Sequence, residues 1–170
     1  AWLFDLLLSF APVQASRYRY RRVVGKKLNL VSPRDFNEKL QWLKLYWQHP
    51  LVIECADKYT VRAYVASCGC PEILNSLHGV YEHPGEIDWD GLPEKFVLKC
   101  THGSGFNVIC NDKRNLDKRR TLQRLAKWQK SRYGRYSAEL HYSWLKPRIL
   151  CERYIETADG NVPADYKIHC

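Results

Sequence analysis

Residues 96–110, FVLKCTHGSGFNVIC, form the segment that most limits how this chain can fold. Two short apolar runs flank a turn with Gly103, Ser104 and Gly105, which predicts two strands joined by a glycine-containing loop. Glycines let backbone N–H groups approach phosphate oxygens, and Lys99 at the end of the first run supplies positive charge. The segment does not match G-x-x-x-x-G-K-[ST], so a Walker-type P-loop is disfavoured. Taken alone, the segment is weak evidence for phosphate binding, and a plain hairpin with glycine in its turn is the default interpretation.

A helix is predicted to begin near residues 32–35 and to end at about Tyr46. Ser32 fits a helix cap, Pro33 fits the first helical position, and Asp35 lies where a capping-box acid would. The apolar residues that recur at helical spacing, and predict one apolar face to about Tyr46, are Phe36, Leu40, Leu43 and Trp47.

Other patterns predict two more helices and two more strands. The helices are expected over residues 51–67 and 116–132, the strands in RILCERYIE and DYKIHC, and a turn at Asp159-Gly160-Asn161. Helices followed by an antiparallel sheet with one inserted helix indicate an α+β fold.

The charge distribution favours an anionic partner. The 170-residue chain has a net charge of +9, and basic blocks in residues 1–50 and 101–150 flank an acidic block in residues 51–100. Such a field attracts nucleotide, nucleic acid, anionic polysaccharide or an anionic membrane surface. A set of solvated helix faces would account for most of the same lysines and arginines.

The cysteines and the first residues bear on location. Seven cysteines without C-x-x-C spacing, several inside apolar runs, are expected to be reduced, which indicates the cytoplasm. Cys68-Gly-Cys70 alone is weak evidence for zinc. The apolar stretch of residues 1–15 is too short to span a membrane, but with the arginines up to residue 22 it allows contact with the inner face of a membrane. Packing of this segment on another part of the protein is an equal alternative.

The motifs along the chain resemble those of a known family. The succession ADKYTVRAYV, LPEKFVLKCTHGSGFNVI, RILCERYIE and PADYK resembles the nucleotide-binding half of ATP-grasp enzymes. FNEKLQWLKLY and LPEKFVLKCTHGSG are similar to the subgroup associated with teichuronopeptide and other cell-surface polysaccharide synthesis, from about Leu28 to Cys170. Residues 1–27 are expected to form an apolar and basic helix segment. The resemblance implies a helical region in 28–92 and a truncated ATP-grasp nucleotide-binding subdomain in 93–170.

The resemblance implies a phosphate side of an ATP site. Lys58 matches the first nucleotide lysine, and Lys99 matches the strand lysine at the α-phosphate and adenine edge. Gly103, Ser104 and Gly105 match the lid over the phosphates, with His102 just before them. Without the resemblance, Lys58 would be a solvated helix lysine, Lys99 an outward-facing strand residue and His102 a turn histidine without a ligand.

The resemblance also implies an adenine and ribose side. Glu152 matches the acid at the adenine amino group, and the backbone of Arg153 and Ile155 would contact the adenine edge. Asp165 lies where the ribose-binding acid is expected, and Lys167 would face the same pocket. Pairing of Glu152 with a local arginine, and of Lys167 with Glu152 or Glu156, are the alternatives.

The implied cofactors are ATP and Mg²⁺, with the metal ligands expected beyond Cys170 and none within this chain, which is therefore expected to be inactive alone. The implied activity is an ATP-dependent carboxylate–amine ligase acting on an anionic polysaccharide or amino-acid acceptor. One alternative is a glycosyltransferase-type role in capsule synthesis, and another is a remnant that no longer carries out any chemistry. A third is a basic nucleic-acid-binding module. It is disfavoured because the basic residues of 116–132 fit an ordinary amphipathic helix.

Overall fold

The computed structural model describes residues 11–47, 49–134, 139–160 and 163–164. The predictions for Asp165, for Lys167 and for a strand in DYKIHC lie outside the described residues.

A four-stranded antiparallel sheet organises the C-terminal part of the chain. Its strands are β1 (Leu77–Tyr81), β2 (Phe96–Cys100), β3 (Asn107–Cys110) and β4 (Ile149–Arg153), in the order β1-β4-β2-β3. The hairpin predicted for residues 96–110 is confirmed as β2 and β3. The mixed helix and antiparallel-sheet architecture confirms the predicted α+β class, with one helix inserted between β3 and β4.

Strand β1 was not predicted and lies inside the 28–92 region expected to be helical. Its sequence, LHGVY, has a central glycine that weakens a strand, although Val80 and Tyr81 favour one. The strand forms because β4 pairs with it, with a register irregularity between Leu77 and Gly79. This non-local pairing overrides a weak local signal.

The two faces of the sheet have different environments. Phe96, Leu98 and Cys100 of β2 are fully buried, as period-2 alternation requires, and they belong to the core with Leu125 of the inserted helix. That helix, α5, spans Lys118–Gln129 and confirms the helix predicted over 116–132 with shorter ends. The opposite face carries the intervening residues of β2, among them Lys99.

Within the described residues, four α-helices precede the sheet: α1 (Pro12–Val24), α2 (Phe36–Tyr46), α3 (Pro50–Ala56) and α4 (Val61–Ser67). A second, smaller core joins α1 and α2 through Tyr20, Leu28, Leu30 and Leu45. The arginines of residues 17–22 lie on α1 itself rather than after it. Within the described ranges, no helix has the length and apolarity required to cross a bilayer.

Helix α2 begins later than predicted. Asp35, and not Ser32, is the N-cap, and its carboxylate accepts the N–H of Glu38 at 2.9 Å. Glu38 in turn accepts the N–H of Arg34 at 2.8 Å, outside the helix. The cap satisfies a helix N–H that has no partner within the helix, so these two acids fix the start at Phe36.

The apolar face predicted on α2 is largely exposed, which corrects the expectation that this face is the buried one. Phe36 is 58% and Trp47 52% exposed, whereas Leu45 on another side of the helix is buried. Residue spacing correctly placed the four apolar residues on one side of the helix. It could not show that Leu28 and Leu30 pack against Leu45, on a different side.

The single helix predicted over residues 51–67 is wrong. The chain leaves the helical path after Ala56 and resumes it at Val61, so α3 and α4 are separate. The carboxylate of Asp57 accepts the N–H of Tyr59 at 2.8 Å, which stabilises the turn between them. Lys58 therefore lies in a turn and not at a helix start.

Candidate functional site

Lys58 extends from the turn between α3 and α4 to the loop after β2. Its ammonium group donates to the carbonyl of Thr101 at 3.5 Å and makes a short contact with the carbonyl of Gly103. Burial lowers the pKa of Lys58, and the nearby positive charge of Lys99 lowers it further. Two ammonium groups thus lie close enough to disfavour each other, an arrangement that an anion between them would stabilise.

Lys99 and Glu152 form an ion pair across neighbouring strands. The Lys99 Nζ and Glu152 Oε2 atoms are 2.6 Å apart, and the carboxylate side chain is only 10% exposed. Since β2 and β4 place Val97 opposite Glu152, the pair is diagonal and lies on the face of the sheet away from α5. A buried, charge-assisted bond of this kind fixes both side chains in one geometry.

In the glycine-containing loop, one residue is buried against aromatic side chains and the two that follow are exposed. Gly103 is buried, and a Cβ atom there would come within 2.7 Å of the Phe106 ring and 3.0 Å of Tyr133. Gly105 has φ +76°, a left-handed conformation that favours glycine, with nothing near its missing Cβ. Ser104 and Gly105 are exposed at the tip, where backbone N–H groups are accessible.

An aromatic platform supports this loop from the side of α5. The Phe106 ring stacks on Trp128 with a centroid separation of 5.4 Å and meets the edge of Tyr133 at 5.6 Å. His102 is buried, and its Nε2 donates to the carbonyl of Trp128 at 2.9 Å, while its Nδ1 has no partner among the described residues. Burial lowers the pKa of His102, so the neutral ring anchors the loop to α5.

Sequence reasoning missed a set of polar contacts behind Lys58. The Thr101 hydroxyl bridges the carbonyl of Lys146 at 3.2 Å and the N–H of Arg148 at 3.1 Å. Arg148 also donates to the buried carboxylate of Asp57 at 3.3 Å and lies over the Tyr59 ring at 5.1 Å. These contacts join residues that are 45 and 91 positions apart in the sequence, so no local motif predicts them. They fix the turn that carries Lys58 against the start of β4.

The comparison with known families agrees with this geometry. A family model described as TupA-like ATP-grasp matches residues 38–170, most of the chain. The chain belongs to the TupA-like ATP-grasp family. The domain of this family is an ATP-binding, ligase-type domain. No curated protein and no solved structure matches the chain.

The adenine-side residues of the expected ATP-grasp site are only partly accessible. Arg153 donates its N–H to Ser76 at 2.9 Å and accepts from the Asn75 side chain at 2.8 Å, so its backbone already has partners. Ile155 lies just beyond β4 and is 53% exposed. Asp165 and Lys167 are outside the described residues. On the same side of the sheet as Lys99, Ile109 of β3 is exposed and offers an apolar surface that sequence reasoning did not identify.

In the part of the chain that the structure describes, no group of three His, Cys, Asp or Glu residues is arranged to hold a metal ion. The described acids nearest the lysines are Glu152 and Asp57, and each is already paired with a cation. Each acid would have to leave its cation to hold a metal ion.

Proposed function

We propose that Lys58, Lys99 and the loop of residues 103–105 bind the phosphates of ATP, and that Glu152 recognises the adenine amino group. The observation that carries the proposal is the juxtaposition of Lys58 with both Lys99 and the Gly103 carbonyl. A largely buried lysine, a second lysine nearby and a glycine-containing loop suit a polyphosphate better than a neutral ligand.

On the phosphate side, the ligand would replace contacts that the protein makes with itself. Lys58 donates to two carbonyls, which are weaker partners for an ammonium group than phosphate oxygens. The exposed N–H groups of Ser104 and Gly105 would approach the same phosphates because neither residue has a large side chain. His102 would act by positioning this loop and not by touching phosphate, since it is buried against Trp128.

On the purine side, the exposed edge of the sheet at β3 supports adenine binding. Ile109 is 54% exposed there and would contact the ring face, while Glu152 accepts from the amino group. Lys99 would then share Glu152 with the nucleotide, so the existing ion pair orients both groups before binding. The Ile155 backbone would contribute the remaining edge contact, and Asp165 the ribose contact.

At the level of the whole reaction, we propose an ATP-dependent carboxylate–amine ligase acting in cell-surface polysaccharide synthesis. ATP would phosphorylate a carboxylate, releasing ADP, and an amine would displace the phosphate to form an amide. Mg²⁺ supplies charge neutralisation of the triphosphate when it is bound. The basic surface of α5, with Arg119, Arg120, Arg124 and Lys127, supports an anionic polysaccharide or amino-acid acceptor.

The remaining parts of the proposal concern organisation and location. Residues 93–170 would form the nucleotide-binding subdomain, to which β1 from the preceding region adds an edge strand. The buried thiols of Cys100, Cys110 and Cys151 support a cytoplasmic protein. The exposed arginines of α1 support contact with the inner face of the membrane.

Thermal melting with and without Mg-ATP tests the nucleotide site. ATP should raise the melting temperature of the wild-type chain, because a ligand that binds only the folded state stabilises it. The rise should be lost in Lys99→Ala but kept in Lys95→Ala, which removes a lysine that pairs with Glu156 outside the cleft. An unchanged melting temperature of the wild-type chain at millimolar Mg-ATP would contradict the proposal.

A further inference from the structure

A cavity lies beside the proposed nucleotide site and is separate from it. Its volume is about 730 Å³, within the range of small-molecule pockets. Helix α3, the turn of Asp57 and Tyr59, helix α4 and residues 144–148 form its walls. The Asp57 turn contributes to this cavity, while the next residue, Lys58, reaches toward the glycine loop.

Two guanidinium groups line this cavity with unused donors. Among the described residues, the Arg62 side chain makes no hydrogen bond or ion pair, although it forms part of the wall. The Arg148 guanidinium has five N–H donors and bonds only Asp57, at 3.3 Å, within the same described set. Guanidinium groups bind carboxylates through paired, charge-assisted hydrogen bonds, so both groups suit a carboxylate ligand.

The charge of the cavity limits how anionic that ligand can be. The wall holds three cations, Arg62, Lys146 and Arg148, and two acids, Glu54 and Asp57. Asp57 is neutralised by Arg148, and Lys146 pairs with Glu82 outside the wall. With both pairs set aside, Arg62 and Glu54 remain in the wall and their charges cancel. The cavity therefore has no excess of positive charge that would suit a polyphosphate, which distinguishes it from the nucleotide site, while its free guanidinium donors still suit a single carboxylate.

The remaining wall suits the body of a small ring or chain. Trp144 is 56% exposed and lines the cavity together with the apolar side chains of Ile53 and Leu145. An exposed indole next to unpaired guanidinium donors provides a surface for the carbon skeleton and a partner for the charge.

We propose that this cavity binds a small carboxylate, and that it holds the carboxylate substrate of the ligase. The second part rests on the function proposed above. Thr101 connects the two sites, because its hydroxyl contacts the backbone of residues 146 and 148 and its carbonyl accepts from Lys58. Occupation of the cavity therefore acts on the same segment that positions the first phosphate-binding lysine.

Calorimetric titration without nucleotide tests the site with two matched pairs of probes. Glucuronate is compared with glucose, and glutamate with glutamine, since each pair differs in one carboxylate. At least one of the two acids should bind saturably, and its neutral counterpart should bind about tenfold more weakly or worse. The better acid identifies the source of the carboxylate, a sugar acid or an amino acid.

Variants then place the binding in the cavity. Arg62→Ala should lower the affinity for the acid about tenfold or more. Arg62→Lys should lower the affinity less, because it keeps the positive charge and loses only the paired donors of the guanidinium group. Arg114→Ala, which removes an exposed guanidinium group that pairs with Asp112 away from both sites, should leave the affinity unchanged. Equal melting temperatures of the variants without ligand would confirm that they are folded.

The proposal is overturned if neither acid binds at millimolar concentration, if glucose or glutamine binds as well as its acid, or if Arg62→Ala binds as tightly as the wild type. Its failure is distinguishable from failure of the nucleotide proposal. If ATP stabilises the chain but neither acid binds to it, only the cavity proposal fails. A chain that binds an acid without any effect of ATP keeps the carboxylate site and loses its assignment to a ligase.

Discussion

Lys99 and Glu152 lie on adjacent antiparallel strands, with the ammonium nitrogen 2.6 Å from a carboxylate oxygen. The pair is partly withdrawn from water, since the Glu152 side chain is 10% and the Lys99 side chain 31% exposed. Its geometry is set by the sheet register and does not depend on a mobile loop.

Glu152→Gln should destabilise the fold by about 1–3 kcal/mol, because it leaves Lys99 partly desolvated without a counter-charge. The matched control is Glu156→Gln, which breaks the exposed pair with Lys95 and should cost about 0–1 kcal/mol. Urea unfolding of the two variants measures both values. Equal losses of stability would show that the Lys99–Glu152 pair has no special burial.

ATP binding should take up protons at alkaline pH. Burial and Lys99 lower the pKa of Lys58 in the free protein, and phosphate at the site would raise it. Binding therefore protonates Lys58, and the affinity for ATP should fall as the pH rises through the lowered pKa of the free protein. At pH 8.5 the phosphates are already ionised, so they do not contribute.

Calorimetry at a series of pH values from about 8.5 to 10.5, the upper end being the ordinary lysine pKa, measures that uptake when each pH is run in two buffers of different ionisation enthalpy. The wild-type chain should show net proton uptake on binding Mg-ATP, and Lys58→Met should show much less. The same uptake in both proteins would assign the proton to another group and remove this support for Lys58 in the site.

Gly103→Ala and Gly105→Ala should act by different physical routes. An alanine methyl at 103 collides with Phe106 and Tyr133, so repacking should cost about 1–3 kcal/mol and alter the near-UV circular dichroism. An alanine at 105 meets no atoms but must adopt a left-handed conformation, at a cost of about 1–2 kcal/mol. Its near-UV spectrum should resemble that of the wild type, and a changed spectrum would contradict this division.

The cysteines should differ in reactivity. Burial raises the pKa of Cys100 and Cys151 to about 12, so the reactive thiolate is scarce at pH 8. Iodoacetamide should label the exposed Cys55 and Cys68 in the folded chain, and all four in urea, as followed by mass spectrometry. Labelling of Cys100 at the rate of Cys55 in the folded chain would contradict the burial.

The same thiols make the folded state sensitive to alkali. Because their folded pKa is raised, their contribution to stability is complete below the unfolded thiol pKa of about 8.5 and is lost as the pH rises toward about 12. The free energy of unfolding of Cys100→Ala should therefore decline less steeply between pH 8.5 and 10 than that of the wild type.

Sequence patterns correctly predicted the helices and strands whose formation depends on residues within the same short segment. The strand alternation of FVLKC, the glycines of the following loop and the amphipathic spacing of α5 all have their causes inside the segment. The sequence also drew attention to Lys58, Lys99 and Glu152, although it could not show that Lys99 and Glu152 pair.

The remaining features depend on distant partners. β1 exists because of β4, and the break after Ala56 is stabilised by Arg148, which is 91 positions from Asp57. The buried side of α2 is determined by Leu28 and Leu30, and the Phe36 stripe was misassigned for that reason. Contacts of this kind leave no periodic trace in the chain.

The support of Gly103 by aromatic rings has a consequence for the speed of the loop. With Gly103 fixed against Phe106, only the two exposed residues that follow it are free to reorient, and neither the hairpin nor α5 must unfold. Rearrangements confined to so short a segment take nanoseconds to microseconds. We therefore expect that covering and uncovering of the nucleotide would be faster than an ordinary catalytic cycle and would not set its rate.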